Sequence, residues 1–204
     1  GRGEVVRYCL SEGATVVGAD YAPAALALAR RILPGEAPGL VRSDAKRLPF
    51  AEGAFDVVFM LDLVEHLLPD ELAAAYREVW RVLAPGGRLV IHTMPNLWYY
   101  RFGYPLFRLV QRLRGVRLPR DPRLRSQEQH VHVNEQTLLT MRSDLRVAGF
   151  DARVELRNVQ DFTERESNPW VQRAMFFLAE VRPFAWIFCD DILAVAAKPA
   201  APRP

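Results

Sequence analysis

The chain has 204 residues, half of them apolar, with 27 Lys and Arg against 24 Asp and Glu, a formal net charge of +3 and two Cys. This composition excludes disordered and collagen-like chains and is sufficient for one domain with a real core. Two Cys cannot build a disulfide scaffold and do not stand at metal-ligand spacing, so no metal and a reducing, cytoplasmic setting are expected. No run approaches about 18 uninterrupted apolar residues, and the first residues lack the regions of a signal peptide. The charge is uneven: residues 98–127 hold eight Arg and one acid, Asp121, a stretch of +7 that leaves −4 for the remainder.

In chain order, Gly1, Arg2 and Gly3 open directly into a helix over 5–10. Residues 14–18 form a short β-branched run ending at Asp20, predicted as a buried strand. Pro23 suits the first turn of an Ala/Leu-rich helix to about residue 33. A brief strand at Leu40 and Val41 precedes Asp44, and 55–61 is the clearest core strand. A helix over 69–83 closes at Pro85, Gly86 and Gly87 and leads into a strand over 88–93. This alternation predicts an α/β fold, Rossmann-like and doubly wound, with a mostly parallel sheet and helices on both faces.

Beyond Pro95 the rhythm changes. Residues 98–114 read as helix and 115–133 as irregular. A helix over 134–148 follows, with Asn134 as its N-cap and Gly149 as its stop. A strand over 152–156, a helix over 169–181 and a last strand over 192–197, expected antiparallel, complete the pattern. The expected organisation is a single domain over 1–204, with 98–133 as an insertion or lid and 199–204 as a tail.

Three features fall at the C-terminal ends of successive strand positions, where open α/β sheets bind ligands. Gly1-Arg2-Gly3 before a helix allows close backbone approach and offers N–H donors. Asp20 can accept two hydrogen bonds from ribose hydroxyls, and Asp44, in Ser43-Asp44-Ala45, can accept from an exocyclic amine. In order and at this spacing they indicate a nucleoside site. A nicotinamide fingerprint fits less well, because Val6 stands where its third glycine should be.

The runs around Gly1-Arg2-Gly3-Glu4, Val16-Val17-Gly18-Ala19-Asp20-Tyr21, Ser43-Asp44-Ala45-Lys46-Arg47-Leu48-Pro49-Phe50 and 55–67 resemble the class I S-adenosylmethionine-dependent methyltransferases. They are most similar to the small-molecule branch that includes quinone-biosynthesis and sugar enzymes, and 83–89 fits that branch too. The resemblance is close over 1–95 and looser at 132–150 and the last strand. It implies S-adenosylmethionine as cofactor, with Gly1 and Gly3 around its methionine part and Asp20 on the ribose. Tyr21 would pack on the adenine, and Asp44 and the Ala45 N–H would read the ring. The Leu61 backbone and Asp62 would face the methionyl end. It also implies a central first strand upstream of Gly1, so a truncated sequence is expected.

A hydroxyl acceptor benefits from a general base, a role suited to His near neutral pH. His66, His130 and His132 are the candidates, and His92, inside a strand, is expected to be a satisfied core residue. The implied reaction is methylation of an O, N or C atom of a small molecule, lipid-linked or a sugar being the classes considered. The alternatives are a nicotinamide-dependent oxidoreductase and a non-catalytic nucleoside-binding protein.

On a helical projection Phe102, Leu106, Leu109 and Leu113 share one face, with Arg101, Arg108 and Arg112 on its flank. That pattern is compatible with a lid packed on the domain or with peripheral contact through 98–127 to an anionic membrane surface. Aromatics at Trp170, Phe176, Phe177, Phe184, Trp186 and Phe188 would extend the apolar surface. Nucleic acid is not expected, since no recognition module accompanies the arginines.

Overall fold

The computed structural model describes residues 1–33, 39–121, 132–158 and 168–200. The chain forms two compact units, 1–51 and 52–204.

In the first unit, α1 (Glu4–Ser11) follows the glycine turn, and α2 (Pro23–Ile32) begins with Pro in its first turn, where a missing N–H costs nothing. The helices flank a two-stranded parallel sheet of β1 (Gly18–Asp20) and β2 (Leu40–Arg42), paired Gly18 to Leu40 and Asp20 to Arg42. The predicted buried strand over 14–18 is corrected here. Ladder pairing begins only at Gly18, and none of β1 is fully buried. Leu26, Ala29 and Leu33 supply the buried interior.

The second unit holds a four-stranded sheet in the order β3 (Phe55–Leu61), β4 (Leu83–Thr93), β6 (Ile192–Ala197), β5 (Asp151–Leu156). β3 and β4 are parallel, whereas β6 enters between β4 and β5 antiparallel to both. α3 (Pro69–Val82) buries Leu72, Ala75, Tyr76, Val79 and Val82, an i, i+3, i+4, i+7 stripe that packs towards β4. Lys198 Nζ donates to the Trp80 and Leu83 carbonyls at 2.8 and 2.7 Å, satisfying acceptors at the end of that helix. The core continues through Leu89, Ile91, Ile192, Ala194 and Ala196. β3 departs from the expected core strand, because Val57, Phe59 and Leu61 are exposed on one face.

α5 (Leu138–Val147) starts four residues later than expected. Asn134 is not its cap: the Asn134 N–H donates to the Glu65 carbonyl at 3.1 Å, and its side-chain oxygen accepts from Gln136 Nε2 at 2.9 Å. Thr137 caps instead, its Oγ1 accepting from the Thr140 N–H at 3.0 Å. Thr137→Ala is expected to cost about 1 kcal/mol, a fall of about 2–4 °C in Tm by thermal denaturation. An unchanged Tm would show that the cap contributes nothing. Gly149 ends the helix at φ +95°, as expected.

The expected helix over 98–114 begins as a π-helical turn, Tyr99–Gly103, before α4 (Tyr104–Leu113). Fully buried Asn96 orders this entry. Its Nδ2 donates to the Trp186 and Cys189 carbonyls, and its Oδ1 accepts from the Trp98 N–H. α6 (Pro169–Glu180), capped by Asn168, is followed by α7 (Ala185–Phe188), which sequence periodicity did not reveal because it is a single turn.

Candidate functional site

Parallel pairing of β1 and β2 sets their C-terminal ends side by side. Asp20 closes β1, and its backbone carbonyl accepts from the Ser43 N–H at 3.1 Å, so 43–45 run on beside it. Its carboxylate accepts from the Ala22 N–H at 2.8 Å and lies against the backbone nitrogen of Gly1, which brings the glycine turn to the same edge. Burial opposes ionisation of Asp20, and the hydrogen bond from the Ala22 N–H works against that effect. Tyr21 is largely exposed beside it, with the Arg42 guanidinium 5.7 Å from the ring centre. Asp44 accepts from the Lys46 N–H at 2.9 Å and leaves its carboxylate partly exposed.

Gly3 sits at φ +86°, in the left-handed region, immediately before α1. A Cβ there would come 2.9 Å from the Ala29 Cβ. Only glycine lets the chain turn this closely over α2. Gly1, Gly3, Asp20, Tyr21, Asp44 and Ala45 are thus arranged within one unit. Two carboxylates, an exposed aromatic ring and backbone donors at a helix start are the donor set a nucleoside with a charged tail requires. The residues present fit the cofactor that the sequence resemblance implies.

In the second unit, Leu61 ends β3 and Asp62 follows at φ +51°, a conformation more accessible to Asp than to bulkier side chains. His92 Nδ1 lies 2.7 Å from Asp62 Oδ1 and its Nε2 3.1 Å from Asp191 Oδ1. Carboxylates only accept, so both ring nitrogens donate and His92 is an imidazolium. Hydrogen bonds to Asp191 and then Asp62 outweigh burial and raise its pKa to about 10. The same contact with His92 is the main reason that the Asp62 carboxyl lies below its usual range, and its side chain remains 60% exposed.

His92 is therefore satisfied at both ring nitrogens, as expected, and its partners make it a charged clamp between two acids. Sequence reading missed its role, although the acid pair Asp190 and Asp191 directly before an apolar last strand was a usable signal.

The other two described histidines meet next to this clamp. A short 3₁₀ turn, Val64–His66, buries Glu65, whose carboxyl accepts from the Thr93 hydroxyl at 2.6 Å. Burial pushes the Glu65 pKa up. Its backbone carbonyl accepts from the Val133 and Asn134 N–H groups at 2.9 and 3.1 Å, which draws His132 against His66 with ring centres 5.0 Å apart. Glu65, His66 and His132 bring donor atoms within 4.8 Å of one another, a grouping able to hold a cation. The hydrogen bond from Thr93 opposes the rise in the Glu65 pKa and occupies one of its carboxyl oxygens. His130 lies outside the described residues.

Residues 1–91 match the family described as methyltransferase domain. The chain is 48% identical over 87 residues to a demethylmenaquinone methyltransferase of Thermus thermophilus, covering 41% of this chain and 38% of that protein. A demethylmenaquinone methyltransferase of Clavibacter sepedonicus is 33% identical over 157 residues, 73% of this chain and 61% of its own length. The chain thus spans less than two thirds of the curated relatives it matches.

Among solved structures, an S-adenosylmethionine-dependent methyltransferase from Mesorhizobium loti superposes with a TM-score of 0.66 at 20% identity, covering 97% of this chain and 87% of that one. One from Methanosarcina mazei gives 0.65 at 20% identity, covering 98% and 90%. These neighbours share the Rossmann-like α/β fold expected from the strand–helix alternation. Among the described residues no helix is long and apolar enough to cross a membrane.

Proposed function

We propose that this protein, whose residues 1–91 match a methyltransferase domain, is a class I S-adenosylmethionine-dependent enzyme that methylates a small quinone-type acceptor. The observation that carries the cofactor half is the strand-end edge of the first unit, where Asp20, Asp44, exposed Tyr21 and the Gly3 turn stand together. The acceptor class rests on the relatives named for demethylmenaquinone. The two carboxylates fit ribose and adenine recognition better than the nicotinamide alternative, for which Val6 remains the wrong residue.

S-adenosylmethionine supplies a methyl group already activated on a sulfonium, so the chain's own work is positioning, charge and proton handling. Asp20 would accept from both ribose hydroxyls, Tyr21 would cover the base, and Asp44 and the Ala45 N–H would read its edge. Leu61 and Asp62 would receive the amino-acid end: a carboxylate held ionised by His92 is suited to an ammonium group. An acceptor that gained the methyl group would give up one proton. His66 and His132, adjacent and partly exposed, would be the described bases to take it, and His130 remains a third candidate.

Calorimetric titration of the full chain should show binding of S-adenosylmethionine and none of NADH. With tritiated cofactor, label should move to a demethylated naphthoquinol. Binding of NADH without S-adenosylmethionine would overturn the reading. Cofactor binding without transfer to any quinol would leave the non-catalytic binding protein as the better description.

A further inference from the structure

α4 is turned the opposite way from an ordinary surface helix. Tyr104 and Gln111, only 2% and 4% exposed, face inward, while Leu106, Leu109 and Leu113 are 48%, 53% and 82% exposed. The inward side is held by polar and close-packed contacts. The Tyr104 hydroxyl donates to the Pro119 carbonyl at 2.9 Å, Gln111 Oε1 accepts from Arg114 at 3.0 Å, and Gly103 lies directly against the Ile187 carbonyl. An amphipathic helix on a protein wholly surrounded by water gains by burying its leucine stripe. Here the stripe points outward.

The apolar exposure continues onto neighbouring elements. α7 packs on the π-helical turn and α6 packs on α7. Trp186 stacks on Trp98 with ring centres 5.6 Å apart, and Phe177 lies 6.5 Å from Phe184, all four at least partly exposed. Trp170 is exposed with the Arg173 guanidinium 5.5 Å from its ring centre. The charge around this face has one sign: between residues 98 and 121 the chain has six Arg and a single acid, Asp121.

We propose that this face docks on an anionic lipid bilayer, leucines and indoles entering the acyl boundary and arginines meeting the phosphates. The pairing of an outward leucine stripe with a cationic rim selects this occupant. A second copy of the chain would set arginine against arginine, and a nucleic acid would use the arginines but not the leucines. Exposed aromatic rings suit the boundary between headgroups and chains, where one edge is apolar and the other wet. This inference does not depend on the cofactor or the acceptor.

The test is co-sedimentation of the full chain with vesicles of phosphatidylcholine and phosphatidylglycerol in a three-to-one ratio, against pure phosphatidylcholine, at about 0.1 M salt where screening is moderate. Binding to the anionic vesicles should be at least about tenfold stronger. Arg101→Gln, Arg108→Gln and Arg112→Gln together should weaken it at least about tenfold. Leu106→Ser, Leu109→Ser and Leu113→Ser together should weaken it about as much with no change in charge, and both variants should keep the parent circular dichroism spectrum. Absence of binding to anionic vesicles, or binding untouched by the leucine changes, would overturn the proposal. So would leucine-dependent self-association in sedimentation velocity without vesicles, or duplex DNA binding that outcompetes the vesicles.

Discussion

Asp20→Ala is expected to raise the dissociation constant for S-adenosylmethionine by a hundredfold or more in calorimetric titration. A carboxylate accepting from two ribose hydroxyls makes two charge-assisted hydrogen bonds, each of about 1.5–3 kcal/mol, and alanine makes neither. Asp20 also accepts from the Ala22 N–H at the start of α2, so some loss of stability accompanies the change. Asp20→Asn separates the two effects. Its amide oxygen can still accept at Ala22, restoring the turn, while the charge and one acceptor are lost, so the melting temperature should recover and the affinity should not. Affinity within twofold of the parent in both variants would remove Asp20 from the cofactor site.

His92→Ala should lower stability by about 3–5 kcal/mol at neutral pH, measured by urea unfolding. It removes the cation that faces Asp191, whose side chain is 1% exposed. Burying a carboxylate is costly and is tolerated where opposite charge and hydrogen bonds offset it. His92→Gln, neutral but able to donate one hydrogen bond, should recover part of the loss.

The pH dependence follows from the direction of the shift. The His92 pKa is about 10 in the folded chain and about 6.5 when unfolded. Folding therefore favours the protonated ring, so its contribution is complete below about pH 6.5 and is lost as pH rises through 10. The parent protein should lose stability across that window and His92→Ala should be nearly flat there. Equal slopes for the two would mean that the clamp is not charged. Since His92 also holds Asp62, the variant should bind S-adenosylmethionine more weakly at a pH where it remains folded.

The parts of the fold and site that could be read in advance are those determined by near neighbours in the chain. Strand ends at Asp20 and Leu61, the glycine turn at Gly3 and the stop at Gly149 all depend on local residue type and φ. The cap of α5 differs from expectation for the opposite reason. Asn134 and Thr137 are both good caps by chemistry, and the choice was made by Glu65, about 70 residues away, whose carbonyl takes the Asn134 N–H. β1 is shorter than its β-branched run suggests, because such a run marks extended propensity, whereas ladder length depends on the partner strand, and β2 has only three residues.

The sequence by itself determined the alternation of strands and helices, the grouping of Asp20 and Asp44 at the ends of β1 and β2 that is proposed to bind the nucleoside, and the existence of a leucine stripe flanked by arginines. Each is a pattern with a period or spacing of a few residues, which is the range over which backbone geometry dictates side-chain direction. Only the tertiary structure decided that His92 joins Asp62 to Asp191 across 30 and 99 residues, that His66 and His132 meet, and that α4 presents its leucines outward. Periodicity specifies that a helix has two faces. Which face turns inward is set by what packs beneath it, and here Tyr104, Gln111 and Gly103 hold that side.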